Sequence, residues 1–222
     1  MRDPVTAGRV GKAGIPGSAW NRVATALLCV ASFLSACSLF DPREPEPPDT
    51  TPPFWLTPYT PGVVMQNVQG SMEARSITLY MACMSQDSFS FVPDAADTAE
   101  YGSQPGYDFS TWDYSAEEGN VGNIFALQDT LYGDSLISVT FTAVPGYPDP
   151  PAPVDSAVIW RDYEIVIAAS NLAPYSNPAT GRARVTMVES SASTWSIRLW
   201  EDFRPEYPGE SHTWGLVKAA YR

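Results

Sequence analysis

The carboxyl-terminal half of the chain alternates hydrophobic and polar residues. The alternation runs over residues 136–142, 158–167, 182–188 and 194–200. A period of two is typical of strands that bury one face. The connecting segments hold prolines, an Asn-Pro pair with a glycine, or a short polar turn, all of which are turn signals. The pattern therefore predicts four consecutive strands in an antiparallel meander.

The residues before these strands follow a helical period. A first helix is indicated by apolar side chains at the spacing of one helix face, namely Val64, Met65, Val68 and Met72. Thr60 and Pro61 supply a cap and a first-turn proline. A second, short helix is predicted to follow Ser76, and residues 115–131 predict a third.

Three further stretches complete the pattern. Residues 89–93 alternate as a short strand that Pro93 ends, whereas residues 94–114 are rich in Asp, Gly, Ser and Tyr and predict a long loop. Apolar residues between 214 and 221 predict a cover over the sheet, as a short helix or an extended segment. Helices that precede long strands indicate an α+β fold, with N-terminal helices packed on one face of a curved antiparallel sheet.

The first 36 residues have the profile of a signal peptide. Four basic residues lie before the apolar run: Arg2, Arg9, Lys12 and Arg22. Residues 23–36 then carry no charge over 14 positions. As a helix this run would span about 21 Å at about 1.5 Å per residue, short of the roughly 30 Å hydrocarbon core of a bilayer. Export followed by cleavage is therefore favoured over a permanent transmembrane helix.

The apolar run ends in a sequence that resembles the lipobox of bacterial lipoproteins: Leu34, Ser35, Ala36 and Cys37. The resemblance implies cleavage before Cys37 and lipidation of its thiol, and a plain secretory signal is the alternative. Residues 37–56 are rich in proline and acidic residues, which predicts an extended tether before a domain of residues 57–222. We therefore expect attachment to a membrane through an N-terminal lipid in the bacterial cell envelope. Ser38 after the cysteine favours the outer membrane.

The charge of the chain limits its partners. Lys and Arg number 13 against 25 Asp and Glu, which gives a net charge of −12. Removing residues 1–36 removes four basic residues and one acidic residue and leaves −15. A charge of this sign repels phosphate groups, so no nucleic-acid partner is expected.

Few residues could hold a metal or close a disulfide. The chain has one histidine, His212, and three cysteines. Cys29 lies in the signal peptide and Cys37 in the lipobox, which leaves Cys83 without a partner. The sequence holds no phosphate-binding loop or nucleophile elbow, so no cofactor, metal site or catalytic set is predicted. His212 is expected at the surface, and Cys83 is expected to be a small buried hydrophobe.

The carboxyl end carries two segments rich in tryptophan. Residues 195–203 read WSIRLWEDF and residues 213–222 read TWGLVKAAYR. Together with the lipobox, they resemble a family of bacterial lipoproteins of unknown function with a nuclear transport factor two-like domain, also called the cystatin-like cone or SnoaL-like fold. Members usually have a basic residue where this chain has Ser196 and a glycine where it has Thr194. The resemblance covers residues 57–222 and implies a cone-like domain.

The same resemblance implies where a pocket would lie. Cone domains of this superfamily include isomerases, dehydratases and cyclases, which use an aspartate in an apolar pocket between sheet and helices as general base. The candidate pocket residues are Tyr80, Trp160, Tyr163, Trp200 and Asp202. A base of this kind needs a pKa raised by burial, and the candidates by position are Asp162 and Asp202.

Neither aspartate is expected to act as a base. Asp202 ends the last predicted strand, where water and Arg204 can reach it, so its pKa is expected not to be raised. Asp162 shares a strand face with Trp160 and Glu164, which is typical of a solvated sheet surface or an interface.

These observations favour a binding or interaction module held at a membrane. The lipid, the tether and the lack of a nucleophile–base set support it, and the expected partner is an envelope protein or a small apolar ligand. The alternative is a small-molecule isomerase-like or dehydratase-like enzyme that uses a pocket carboxylate, which rests on analogy of fold alone. A third hypothesis is saccharide binding by aromatic residues expected in exposed loops: Trp55, Tyr107 and Trp112.

Overall fold

The computed structural model describes residues 54–132, 137–151, 155–167, 178–205 and 212–221, which all belong to the compact unit Thr51–Arg222. The predicted signal peptide (1–36), Cys37 and most of the predicted tether (37–56) lie outside the described residues. Across the described ranges, no helix combines the length and the apolar character needed to cross a membrane.

Two helices open the described part of the chain. Helix α1 spans Pro61–Glu73 and helix α2 spans Ile77–Ala82. Thr60 and Ser76 cap them, because each hydroxyl accepts a hydrogen bond from the amide three residues further along the chain. The apolar residues predicted on one face of α1 are at most 4% exposed. Both helix predictions are confirmed.

The long loop predicted over residues 94–114 is wrong in its first part. Helix α3 spans Ala95–Tyr101 within it. Asp94 caps this helix by accepting hydrogen bonds from the amides of Ala96 and Asp97 at 2.8 and 3.2 Å. The segment has no apolar period, and a helix this short depends on its cap and on tertiary contacts rather than on propensity.

Helix α4 spans Tyr114–Tyr132, one residue beyond the predicted helix at each end. Its first turn is capped by Asp113, which accepts a hydrogen bond from the Ala116 amide at 3.0 Å. The buried face carries apolar residues and also three polar ones: Glu117, Asn120 and Gln128. This helix therefore brings polar groups into the interior of the domain.

Five strands form one sheet in the order β1-β5-β4-β3-β2. Their bounds are Ser90–Val92 for β1, Ile137–Ala143 for β2, Ser156–Ile167 for β3, Ala179–Glu189 for β4 and Trp195–Phe203 for β5. Strands β2 to β5 are antiparallel neighbours, so the predicted meander is confirmed. Strand β1 lies parallel to β5, with Phe91 opposite Trp200. The alternation of residues 89–93 predicted a strand but not its partner.

The helices cover one face of the curved sheet, so the predicted α+β class is confirmed. Helix α1 packs against β2 and β5, and α2 packs against α1 and α4. On β3, Ile159, Tyr163 and Ile165 face the helices and are at most 4% exposed. Val158, which alternates with these buried residues along the strand, points to the other face and is 38% exposed. We call the exposed side the outer face.

The end of the chain folds as helix α5, Trp214–Ala219, which contacts α4 and β4. Every residue of α5 is buried. Thr213 caps the helix by accepting a hydrogen bond from the Leu216 amide at 3.1 Å. The predicted apolar cover is confirmed, and it is a helix rather than an extended segment.

Candidate functional site

The structure divides the five predicted pocket residues between the two faces of the sheet. Tyr163, Trp200 and Asp202 face the helices and are at most 4% exposed. Tyr80 reaches the same interior from α2 and is fully buried. Trp160 alternates with the buried residues of β3 and lies on the outer face. Of the five residues, Trp160 and Tyr163 line one cavity, whereas Tyr80, Trp200 and Asp202 do not belong to its lining.

Asp202 lies at the centre of a hydrogen-bond network under the tail helix. Its Oδ1 accepts a hydrogen bond from the Tyr163 hydroxyl at 2.6 Å, and its Oδ2 accepts one from the Gly215 amide at 2.7 Å. The Tyr163 hydroxyl accepts from the Trp214 amide at 2.8 Å. Asp202 is 2% exposed, so both carboxyl oxygens are engaged by the protein and closed off from solvent.

The expectation that water and Arg204 reach Asp202 is wrong, and so is the expected pKa. Burial raises the pKa of Asp202 to about 7, although the hydrogen bonds from Tyr163 and Gly215 favour the ionised form. The buried tail helix covers Asp202 and donates two amides to this network, from Gly215 to Asp202 and from Trp214 to the Tyr163 hydroxyl. The guanidinium of Arg204 pairs with helix α3 instead.

Gly181 makes room for this network. It lies on β4 opposite Tyr163, between the strands that carry Tyr163 and Asp202. A β-carbon at position 181 would lie 2.3 Å from the Tyr163 hydroxyl oxygen. Tyr163 can therefore reach across β4 to Asp202 because no side chain stands in its path.

A second buried network joins the tail helix to α4. Lys218 donates hydrogen bonds to both carboxylate oxygens of Glu117 at 2.8 Å, and both residues are at most 1% exposed. Tyr80 and Trp112 also donate to Glu117, at 2.6 and 2.8 Å. The ammonium lies 3.4 Å from the centre of the Phe91 ring. Burial lowers the pKa of Lys218, while Glu117 favours the charged form.

Sequence reasoning missed this ion pair. From the sequence, Glu117 is only part of a helix start, and Lys218 has no assigned role. One signal was available, because Lys218 is the only lysine after residue 36 and stands among apolar residues. A buried cation requires an anionic partner, but the sequence does not say which of the acidic residues supplies it.

A third network fixes the end of β5. Arg204 binds Asp97 of α3 and, at 2.6 Å, Glu100. The Thr213 hydroxyl, at the cap of α5, donates a hydrogen bond to Asp97, which is 1% exposed. The tail helix is thus held in the interior by three polar networks, one at its cap, one at its first turn and one at Lys218.

The outer face carries an open cavity of about 620 Å³, which we call the outer groove. Its lining consists of Trp160, Asp162, Tyr163, Thr180, Gly181, Arg182, Phe203, Arg204 and Pro205. This volume falls within the range of about 300–1,000 Å³ that is usual for small-molecule sites. Residues of β3 and β4 and the end of β5 build the groove, and Tyr163 and Gly181 of the buried network lie at its wall.

Aromatic rings and ion pairs surround the outer groove. The rings of Trp160 and Phe203 stack with centres 5.8 Å apart and planes 27° apart, and Tyr147 lies 4.9 Å from Trp160. Asp162 lies on this face as expected, and its carboxylate accepts a hydrogen bond from Arg182 at 2.7 Å. The groove therefore combines an exposed aromatic surface with charges that are already paired.

The three loop aromatics of the third hypothesis differ in exposure. Trp112 is 3% exposed and donates to Glu117, so its expected exposure is wrong. Trp55 and Tyr107 are partly buried against the hydrophobic core. Saccharide binding through these residues stays a prediction.

The sequence also makes predictions for two further single residues, Cys83 and His212. Cys83 is 2% exposed, and burial raises the pKa of its thiol to about 12, which confirms it as a small buried hydrophobe. His212 is half-buried and lies edge-on to Tyr101. No group of three or more His, Cys, Asp or Glu residues in the described part of the chain is arranged to hold a metal ion.

No family model and no curated protein matches the chain. Among solved structures, a nuclear transport factor 2-like superfamily protein from Salmonella enterica serovar Typhimurium is 15% identical, with a TM-score of 0.42 over 66% of this chain and 89% of that one. A candidate dehydratase of the same family from Streptomyces avermitilis is 10% identical, with a TM-score of 0.44 over 66% and 94%.

A protein of unknown function with a cystatin-like fold from Nostoc punctiforme is 12% identical, with a TM-score of 0.39 over 65% of this chain and 89% of that one. These scores lie below 0.5, so the similarity carries no argument about function. The fold class rests on the architecture of the chain itself, which is a curved five-stranded sheet with helices on one face.

Proposed function

We propose that this chain is a lipoprotein of the bacterial outer membrane whose α+β domain binds a ligand or partner in the outer groove. The lipobox at residues 34–37 and the Pro-rich tether support the anchor, and Ser38 supports the outer membrane. In this proposal the domain is a recognition module and not an enzyme.

The observation that favours a binding function over a catalytic one is that the buried carboxyl groups are closed off from solvent. A general base must be within hydrogen-bond reach of the proton that it removes. Asp202 has both oxygens engaged, by the Tyr163 hydroxyl and the Gly215 amide, and is 2% exposed. Glu117 is closed in the same way by Lys218 and is 1% exposed. A substrate cannot reach either carboxyl group in this arrangement.

The outer face supports a recognition role by its exposed apolar groups. Side chains of this kind on or beside the outer face are Val92, Tyr147, Val158 and Phe203, which are 36–48% exposed. Large exposed apolar groups collected on one surface are typical of interaction sites. The outer groove adds a recess in the same surface.

Cysteine labelling tests whether the outer groove is occupied in the envelope. Cys83 is buried, so a cysteine introduced by Thr180→Cys would be the reactive thiol of the domain. We expect maleimide to label Thr180→Cys in the purified protein and to label it several-fold more slowly in isolated envelopes. A matched control is Tyr59→Cys, since Tyr59 is 64% exposed.

The control protein should be labelled at the same rate in both preparations, and the unmodified chain measures the background. Equal labelling of Thr180→Cys in purified and envelope-bound protein would show that nothing occupies the outer groove and would contradict the proposal.

One observation favours the alternative of an isomerase-like or dehydratase-like enzyme. Burial raises the pKa of Asp202 to about 7, which suits a general base at neutral pH. For Asp202 to act, the tail helix must release it, and the Gly215 amide must then lose its hydrogen bond. Hydrogen exchange of this amide measures that opening.

Exchange of the Gly215 amide as slow as that of Ile165, in the centre of the sheet, would exclude the enzyme. Exchange that is faster by several orders of magnitude, with turnover lost in Asp202→Asn, would replace the binding proposal with the enzyme.

A further inference from the structure

We infer that the outer groove binds an uncharged saccharide, with a pyranose ring packed on the aromatic surface of Trp160 and Phe203. The inference rests on the proposed function, because it names the ligand class of the same groove. It is carried by three features of the groove: the shape of the aromatic surface, the pairing of its charges and its volume.

The aromatic surface is partly exposed. Trp160 and Phe203 come from β3 and β5 and stack on each other over β4, with ring centres 5.8 Å apart and planes 27° apart. The Arg184 guanidinium lies 5.9 Å from the centre of the Trp160 ring. Phe203 is 36% exposed and Tyr147, beside Trp160, is 48% exposed. The two faces of a pyranose ring present C–H groups, while its hydroxyls project from the edge. An exposed aromatic ring face, such as that of Phe203, buries such a face and leaves the hydroxyls free to bond at the rim.

The rim offers fixed hydrogen-bonding groups without a net charge. Arg182 binds Asp162 through two hydrogen bonds, of 2.7 and 3.2 Å. Next to this pair, Arg184 binds Glu201 at 2.7 Å. Carboxylate lone pairs and guanidinium N–H groups that stay partly exposed can each bond a hydroxyl group, which is both donor and acceptor.

Paired charges also exclude other ligand classes. A phosphate or carboxylate ligand needs an uncompensated cation, but the cations beside the groove are bound by carboxylates: Arg182 by Asp162, Arg184 by Glu201 and Arg204 by Asp97 and Glu100. The net charge of −15 after residue 36 further repels anions. A purely apolar ligand would leave the paired groups at the rim without new partners. An uncharged polyhydroxy ligand fits both the rings and the rim.

The test is binding of the full chain, in detergent micelles, to an array of immobilised oligosaccharides. The array carries neutral hexose and N-acetylhexosamine oligomers, acidic uronate oligomers, and unrelated peptides as a second class. We expect binding to neutral oligomers only. Binding to none of the saccharides, or only to the acidic ones or the peptides, would overturn the inference.

Calorimetry with protein variants then tests whether the oligomer that binds does so in the outer groove. Trp160→Ala and Phe203→Ala should each weaken it by about tenfold or more, and Trp160→Phe should keep it within about threefold, because the flat face remains. Tyr59→Ala is the matched control, since Tyr59 is exposed and follows Pro58, whose carbonyl accepts a hydrogen bond from the Trp195 amide at the opposite end of β5. Equal affinity for Trp160→Ala and the unmodified chain would refute the site.

Two further arms separate the outcomes. Soluble tetrasaccharide and isolated cell-wall polysaccharide, compared in the same assay, distinguish a free sugar from an envelope polymer. Protection of Thr180→Cys in envelopes without binding to any saccharide would refute the saccharide and leave the recognition role intact. Equal labelling of Thr180→Cys in envelopes and in the purified protein, without saccharide binding, would refute both the saccharide inference and the recognition role.

Discussion

Replacement of Asp202 by asparagine should change how the stability of the domain depends on pH. The pKa of Asp202 in the folded protein is about 7, against 3.8 for an unperturbed aspartate. A raised carboxyl pKa means that the folded protein binds the proton more tightly than the unfolded chain. The contribution of this group to stability is therefore complete below about pH 4, declines between pH 4 and 7, and is lost above pH 7.

The size of the effect follows from the same shift. A difference of about 3 pKa units at about 1.4 kcal/mol each amounts to about 4 kcal/mol between the ends of this range. Asparagine cannot ionise, so Asp202→Asn removes this pH-dependent contribution to the free energy of unfolding. Its Oδ1 can still accept from the Gly215 amide, and its Nδ2 can donate to the Tyr163 hydroxyl. The network under the tail helix can therefore persist in the variant.

Urea unfolding at intervals from pH 4.5 to 8 measures the free energy of unfolding of both proteins. We expect the variant to gain stability relative to the unmodified protein as the pH rises, by up to about 4 kcal/mol. Subtracting the free energy of unfolding of the unmodified protein from that of the variant at each pH cancels the titration of the other carboxylates. Asp162→Asn, which removes a partly exposed carboxylate, is the control. A difference between Asp202→Asn and the unmodified protein that stays constant over this range would refute the burial of Asp202 under the tail helix.

Other predictions address the anchor and the tail. Cys37→Ser should abolish labelling by a palmitate analogue, and label retained on that protein would contradict lipidation at this position. Deletion of residues 212–222 should lower the melting temperature, at roughly 1.5–3 kcal/mol for each large buried side chain lost, whereas an unchanged melting temperature would show that the tail does not cover the core. Lys218→Ala should cost about 3–5 kcal/mol in urea unfolding, because it leaves the charge of Glu117 buried and unpaired, and the double variant with Glu117→Gln should recover part of that loss. Gly181→Ala should destabilise the fold and enlarge the pH effect assigned to Asp202, because the added carbon displaces the Tyr163 hydroxyl, whose hydrogen bond favours the ionised carboxylate; an unchanged pH profile would argue against this network.

Local patterns in the sequence determined the elements that have one regular buried face. The alternation in β2 to β5 and the helical period in α1 and α4 predicted those elements to within a few residues. This works because burial of one face imposes a period on consecutive residues, whatever covers that face. The position of Asp162 on the exposed side of β3 followed from the same parity. The lipobox at Cys37 is likewise a local pattern, and it remains a prediction.

Only the tertiary structure decided which groups meet across the fold. The parallel pairing of β1 with β5, the burial of Asp202 under α5 and the Lys218–Glu117 ion pair join residues far apart in the chain. A residue's neighbours in sequence predict its side of a strand, but the pKa of Asp202 depends on whether solvent or another segment covers that side. Here the covering segment is helix α5, which packs over the end of β5 and buries Asp202. The outer groove opens on the other face of the sheet, where the sequence indicated a solvated surface or an interface.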